Sequence, residues 1–281
     1  MRIGAHVRRG SGALSGVVAA CHERGAQAAQ IFISNPRGWA PPRVGEDDAS
    51  GFRKEWAESG LGPLVAHAPY LVNIASPNPG FLQKSRVLTR ATVRACDDLG
   101  VDMLVLHAGA GGASDRPAAV TRAAETIRIA TAEAARVRVL VELMAGTAGA
   151  VASTLPEAAI LVEATGAETL GLCLDTCHLF AAGYGLDEPE GVAELFEGLR
   201  DEGLEGRVAL IHANDSMYER GARRDRHANI GEGHIGLEGW RAILERPELA
   251  DLTLILETPG EAERHARDIQ LLRELAPSGR D

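Results

Sequence analysis

Eight short runs rich in Val, Ile and Leu, separated by amphipathic Ala-rich segments and recurring about every 35 residues, predict an α/β protein of the TIM (β/α)8 barrel class. The length of 281 residues agrees, because a single α/β barrel commonly runs to about 250, and residues 1–281 are expected to form one domain. Composition agrees as well: 45% hydrophobic and 24% charged residues are ordinary globular values and allow a full-sized core.

The predicted strands are residues 3–7, 29–33, 64–68, 103–107, 137–143, 170–175, 208–213 and 252–258. Each is a continuous apolar run of strand length, as expected where both faces of a parallel sheet are covered. After the first, Ser11 and Ser15 stand as helix starts before Val17-Val18-Ala19-Ala20. After the fourth, Asp115-Arg116-Pro117 opens a helix over residues 118–135. The longest irregular stretches, 35–48 and 215–236, follow strands directly, which places them on the face where barrel enzymes keep their active sites. No interdomain linker, low-complexity tract or repeat interrupts the pattern, and Pro277-Ser278-Gly279-Arg280-Asp281 reads as a frayed tail.

Several function classes are disfavoured at once. Aromatics at 4% argue against a platform that stacks single-stranded bases, and 39 acids against 29 bases argue against a nonspecific polyanion binder. Four cysteines without a CxxC pair fit neither a disulfide scaffold nor a zinc ribbon, so a reducing, cytoplasmic setting is expected. Met1-Arg2-Ile3-Gly4-Ala5-His6 enters a strand directly, so no signal peptide is expected, and no run reaches the roughly 20 apolar residues of a membrane span.

Six of the eight strands end in a residue able to bind a metal: His67, His107, Glu142, Asp175, His212 and Glu257. Their spacings of 40, 35, 33, 37 and 45 are the βα period itself, so a barrel would gather all six at its C-terminal mouth. His178, Asp225 and His227 lie in the loops just beyond two of these strands, giving five histidines and four acids. Each histidine alone is most simply a hydrogen-bonded core or surface residue. Jointly, buried carboxylates raise one another's pKa and are costly unless cations neutralise them. A nitrogen and oxygen donor set suits Zn²⁺, with Mn²⁺ or Fe²⁺ as substitutes, and nine residues suffice for two or three ions.

The stretch Gly171-Leu172-Cys173-Leu174-Asp175-Thr176-Cys177-His178-Leu179-Phe180-Ala181-Ala182-Gly183-Tyr184 resembles the signature of the endonuclease IV family of DNA-repair enzymes. Three more blocks agree in order: His67-Ala68-Pro69-Tyr70-Leu71-Val72-Asn73, Ile211-His212-Ala213-Asn214-Asp215-Ser216 with Asp225-Arg226-His227, and Gly231-Glu232-Gly233-His234-Ile235-Gly236. The resemblance covers essentially the whole chain and implies a barrel with three zinc ions that cleaves DNA at apurinic/apyrimidinic (abasic) sites. By that resemblance His67, His107 and Glu142 hold one zinc, Glu142 bridges to a second completed by Asp175, His212 and Glu257, and His178, Asp225 and His227 hold the third. It further implies hydrolysis of the phosphodiester 5′ to the abasic site in duplex DNA, leaving a 3′-hydroxyl and a 5′-deoxyribose phosphate. Glu142 and Glu257 are then catalytic as ligands that also orient the attacking water. A water lying between two cations loses its proton more readily than bulk water.

Arg37, in Ser34-Asn35-Pro36-Arg37-Gly38-Trp39, and Tyr70 match the positions at which the family inserts side chains into DNA. Taken alone, Arg37 is a solvated loop arginine and Tyr70 a ring packed over the metal site. The net charge of −10 runs against a DNA enzyme, but three Zn²⁺ concentrate six positive charges at one mouth, and residues 219–226 add four arginines beside the ligands. Cys173 and Cys177 read as packing residues and His6 as a second-sphere or core histidine, while His22, His234 and His265 read as surface or locally bonded. The pattern departs from the family at Leu143-Met144-Ala145-Gly146 and at Met217, neither of them ligands. Two rivals remain: a metal-dependent sugar isomerase on a related barrel, which would use one or two ions and leave His178, Asp225 and His227 without a task, and a lesion-binding protein that has lost cleavage. A monomer is expected.

Overall fold

The computed structural model describes residues 1–8, 14, 16–113 and 115–277. Eight parallel strands close a barrel in strict chain order: β1 Arg2–His6, β2 Ala29–Phe32, β3 Leu64–His67, β4 Met103–His107, β5 Arg138–Glu142, β6 Gly171–Asp175, β7 Val208–His212 and β8 Thr253–Leu256. The predicted runs mark all eight; the fourth matches end to end, the first starts one residue late, and the others run over by one or two residues into the adjoining loops. Helices wrap the outside, α1 Gly16–Arg24, α2 Glu46–Glu58, α3 Pro79–Leu99, α4 Arg116–Glu133, α5 Leu155–Thr165, α7 Pro189–Asp201, α8 Gly236–Leu244 and α9 Ala262–Leu275, while the short α6 Thr176–Ala182 sits at the end of β6.

Local chemistry sets the helix ends. Asn78 caps α3 by accepting from the Phe81 amide at 3.0 Å, Pro79 takes the first turn, and Gly100 closes the helix with φ of 71°. Asp115 precedes α4 as predicted, but its side chain makes no capping bond. Ser11 and Ser15, expected as helix starts, lie outside the described residues, as do residues 278–281 of the expected tail. The short helix α6 has no counterpart in the sequence reading, because Thr-Cys-His-Leu-Phe is buried on every side and shows no helical period.

Among the described residues, two apolar clusters hold the barrel. The larger lies between strands and helices; the smaller joins Ala28, Val65, Met103, Val105, Leu140, Cys173, Leu210 and Ile255 inside it. Side chains alternate along a strand, so the residue two further on shares the same face. From the first strand to the eighth, the positions Gly4, Ala28, Val65, Val105, Leu140, Cys173, Leu210 and Ile255 are thus followed, two residues later, by His6, Gln30, His67, His107, Glu142, Asp175, His212 and Glu257. Gly4 has no room for a side chain, since a Cβ there would fall 2.2 Å from the Ala28 carbonyl oxygen.

Candidate metal centre at the barrel mouth

The upper inward layer converges on Glu142, a fully buried carboxylate at the end of β5. Its Oε2 lies 3.1 Å from Nε2 of both His67 and His107, and its Oε1 lies 3.0 Å from His212 Nδ1 and 3.4 Å from His178 Nδ1. Donor atoms of His67, His107 and Glu142 lie within 4.8 Å of one another, as do those of Glu142, Asp175, His212 and Glu257, and those of His178, Asp225 and His227. All nine residues singled out in the sequence therefore meet at one end of the barrel. Cys177 joins a further group with Asp175 and His227, so a thiol read as packing also lies within donor reach.

Whether the donor set fits divalent ions turns on where each imidazole proton must reside. His67 Nδ1 lies 2.7 Å from the Ala68 carbonyl, His178 Nδ1 2.9 Å from the Leu143 carbonyl, His212 Nε2 2.8 Å from Gln30 Oε1 and His227 Nδ1 3.2 Å from the Glu257 carbonyl. Each partner is an acceptor, so each of these nitrogens donates and the opposite nitrogen of the neutral ring carries a lone pair. Those lone pairs face carboxylates: His178 Nε2 is 3.2 Å from Asp225 Oδ2, and His227 Nε2, which makes no hydrogen bond, is 3.2 Å from Asp225 Oδ1 and 3.5 Å from Asp175 Oδ2. Lone pairs opposed in this way repel unless a cation or a proton stands between them, and the residues fit divalent ions on that ground.

The protein charges alone express the same demand. Burial by itself would lower the His178 ring, but the Asp175 charge and the Asp225 contact hold it well above the usual imidazole range. His227 is likewise pushed up to about 9, with burial again overcome by Asp175 and Asp225. Burial would raise Glu257 and Asp225; the charge of His212 and the bond to His6 hold the first below the ordinary carboxylate range, and bonds to His178 and His227 do so for the second.

Loops and caps fix the rest. Asp175 accepts from the His178 amide at 2.9 Å through Oδ1, capping α6, and from Asn214 Nδ2 at 2.7 Å through Oδ2. Asp215, fully buried, accepts from the amides of Ser216, Gly231, Ile235 and Gly236 and from Trp240 Nε1, which ties down the loop carrying Asp225 and His227. A two-residue-a-side antiparallel pairing of Asp215–Ser216 with His227–Ala228 returns that loop to the mouth. Gln30, Asn214 and Asp215 carry no role in the sequence reading. A polar residue at a buried strand position is the signal that marks Gln30.

Tyr70 is 56% exposed, with ring centroids 5.0 Å from Phe32 and 6.1 Å from His67, so it borders both the cluster and solvent. Arg37 is exposed on the loop after β2, its amide bonded to Asn35 Oδ1 at 2.9 Å. Between that loop and the cluster opens a cleft of about 690 Å³ lined by His6, Phe32, Ser34, Tyr70 and Glu257 among others. His265 is buried, Nε2 lying 2.9 Å from the Thr258 carbonyl, whereas His22 and His234 are exposed. Leu143 is fully buried, contributing its carbonyl to His178, and Met217 is 58% exposed.

A family profile described as “Xylose isomerase-like TIM barrel” matches residues 18–275. The chain is 38% identical over 281 residues to the probable endonuclease 4 of Chloroflexus aurantiacus, covering 98% of both chains. It is also 38% identical over 233 residues to that of Carboxydothermus hydrogenoformans, covering 83% of this chain and 82% of that one. The chain belongs to the endonuclease IV family. The crystal structure of endonuclease IV from Thermus thermophilus superposes with a TM-score of 0.86 at 33% identity, covering 98% of each chain. A D-tagatose 3-epimerase-like protein superposes at 0.76 with 19% identity, a likeness of fold alone. Among the described residues of this endonuclease IV family member, no helix is long and apolar enough to cross a membrane.

Proposed function

We propose that this chain hydrolyses the phosphodiester on the 5′ side of abasic sites in duplex DNA, leaving a 3′-hydroxyl and a 5′-deoxyribose phosphate. The observation that carries the reading is the sharing of Glu142 between two adjacent donor groups, with a third beside them, at the mouth of an endonuclease IV barrel. His67, His107 and Glu142 would hold one zinc, Glu142, Asp175, His212 and Glu257 a second, and His178, Asp225 and His227 a third. When bound, such ions supply positive charge to the phosphate and make a nearby water acidic enough to give hydroxide near neutral pH.

The chain's own residues do the rest. Glu142 and Glu257 orient the attacking water. Its oxygen bonds to phosphorus, the bond from phosphorus to the 3′-oxygen breaks, and that oxygen takes up a proton. Tyr70, its hydroxyl pushed up to about 12 chiefly by burial, stays protonated and presents a donor and a flat ring to the gap left by the missing base. Arg37 enters from the neighbouring loop. We further propose that residues 1–281 act as one monomeric, cytoplasmic unit.

Incision of a labelled duplex bearing one reduced abasic analogue tests the reading, since the analogue blocks lyase chemistry. A single cut 5′ to the lesion, lost on prolonged chelation and restored by zinc, is expected. No cut by protein carrying about three zinc ions per chain would exclude it and favour a lesion-binding protein; one or two ions per chain would favour an isomerase.

A further inference from the structure

A neutral side chain that is no candidate ligand bridges two members of the cluster, Glu257 and His212. Gln30 is completely buried on β2, between Ala29, Ile31 and Phe32. An amide in such surroundings is costly unless bonded. Its Nε2 donates to Glu257 Oε1 at 2.6 Å and stands 3.0 Å from His6 Nδ1, while its Oε1 lies 2.8 Å from His212 Nε2. A carboxylate can only accept, so the amide nitrogen must face Glu257 and the amide oxygen must face His212. His212 is thereby obliged to carry its proton on Nε2. Its bare Nδ1 is left 3.0 Å from Glu142 Oε1, 3.6 Å from Glu257 Oε2 and 3.9 Å from Asp175 Oδ2.

We propose that Gln30 is a positioning residue that sets the tautomer of His212 and the orientation of the Glu257 carboxylate together, so that the Asp175–His212–Glu257 group receives its ion ready-formed. The proposal rests on the reading of that group as an ion site. A single amide satisfies a ring donor and a carboxylate at once while adding no charge to an already crowded set of acids. Leucine or methionine would fill the space and bond neither partner. Glutamate would still accept from His212 but would oppose Glu257. The second N–H of the amide, turned to His6, also ties β1 to the cluster.

The test uses zinc-loaded full-length protein and the variants Gln30→Leu, Gln30→Met and Gln30→Glu. Zinc per chain is followed during stepwise chelation, with kcat and KM measured on the abasic duplex and the His212 tautomer read by nitrogen NMR of the fully chelated protein. In all three variants the ion of the Asp175–His212–Glu257 group is expected to leave about 10- to 100-fold more readily than in the wild type, while the ion at His178, Asp225 and His227 follows the wild-type course. The kcat falls by a similar factor with KM changed less than about twofold. His212 keeps its Nε2 proton in Gln30→Glu and loses that preference in the other two. Wild-type zinc release and tautomer in Gln30→Leu and Gln30→Met would overturn the proposal. So would equal loss of all three ions with a lowered unfolding temperature of the chelated protein, since Gln30 would then be packing only. A wild type that binds no zinc would overturn the reading of the site itself.

Discussion

The two inward layers of the barrel lie two residues apart on the same strands and obey opposite rules. The lower one, Val65, Val105, Leu140, Cys173, Leu210 and Ile255, is apolar and gains roughly 25 cal/mol for each Å² taken from water. The upper one, His67, His107, Glu142, Asp175, His212 and Glu257, is equally withdrawn at most positions yet is built from groups whose burial is unfavourable until a cation joins them. Stability is therefore concentrated in the floor and chemistry in the mouth, with a single strand period separating them.

This division is open to direct tests. Glu257→Gln is expected to lower single-turnover incision by several orders of magnitude while the chelated protein unfolds no earlier than wild type, because a charge is removed from a crowded site. Wild-type turnover in that variant would remove Glu257 from the mechanism. Leu140→Ala, two residues below Glu142, should destabilise by about 2–5 kcal/mol in denaturant titration yet leave incision per folded molecule and zinc content unchanged. If it instead abolished zinc binding, floor and mouth would not be separable.

Smaller effects are expected away from both layers. Arg37→Ala should leave zinc content intact and weaken binding of the abasic duplex by about tenfold, the scale of roughly 1.4 kcal/mol. An equal loss on undamaged duplex would make Arg37 a phosphate contact only. Least of all, Arg90 on the outer face of α3 holds the half-buried Glu133 carboxyl below its ordinary range through their hydrogen bond and charge. A carboxyl depressed in the folded state contributes stability present above its unfolded pKa and lost as pH falls through the folded one. Arg90→Ala should thus raise Glu133 toward the ordinary range by NMR titration, with Arg94 still lowering it, and leave incision at neutral pH unaffected.

How much of this was legible in the sequence follows from what each signal encodes. The strands announced themselves because a closed parallel barrel leaves no wet face, and His67 through Glu257 stood out because their spacing is the repeat of the fold. Asp225 and His227, on a loop without a period, and His178, on the short helix α6, were reachable by chemistry and by resemblance. Gln30 escaped because an amide neither titrates nor marks a metal, and only its place in an apolar run betrays it. Asp215 escaped for another reason: its five donors come from residues up to 25 positions away, and only the folded loop assembles them. Helix α6 was hidden by burial on all sides.

Glu142 turns one oxygen toward His67 and His107 and the other toward His212. Under the proposed assignment the first two ions would not fill independently. Occupancy of one must alter the other's affinity, and by the same factor in return. Zinc titration should then be cooperative for this pair, with the ion at His178, Asp225 and His227 loading on a separate curve.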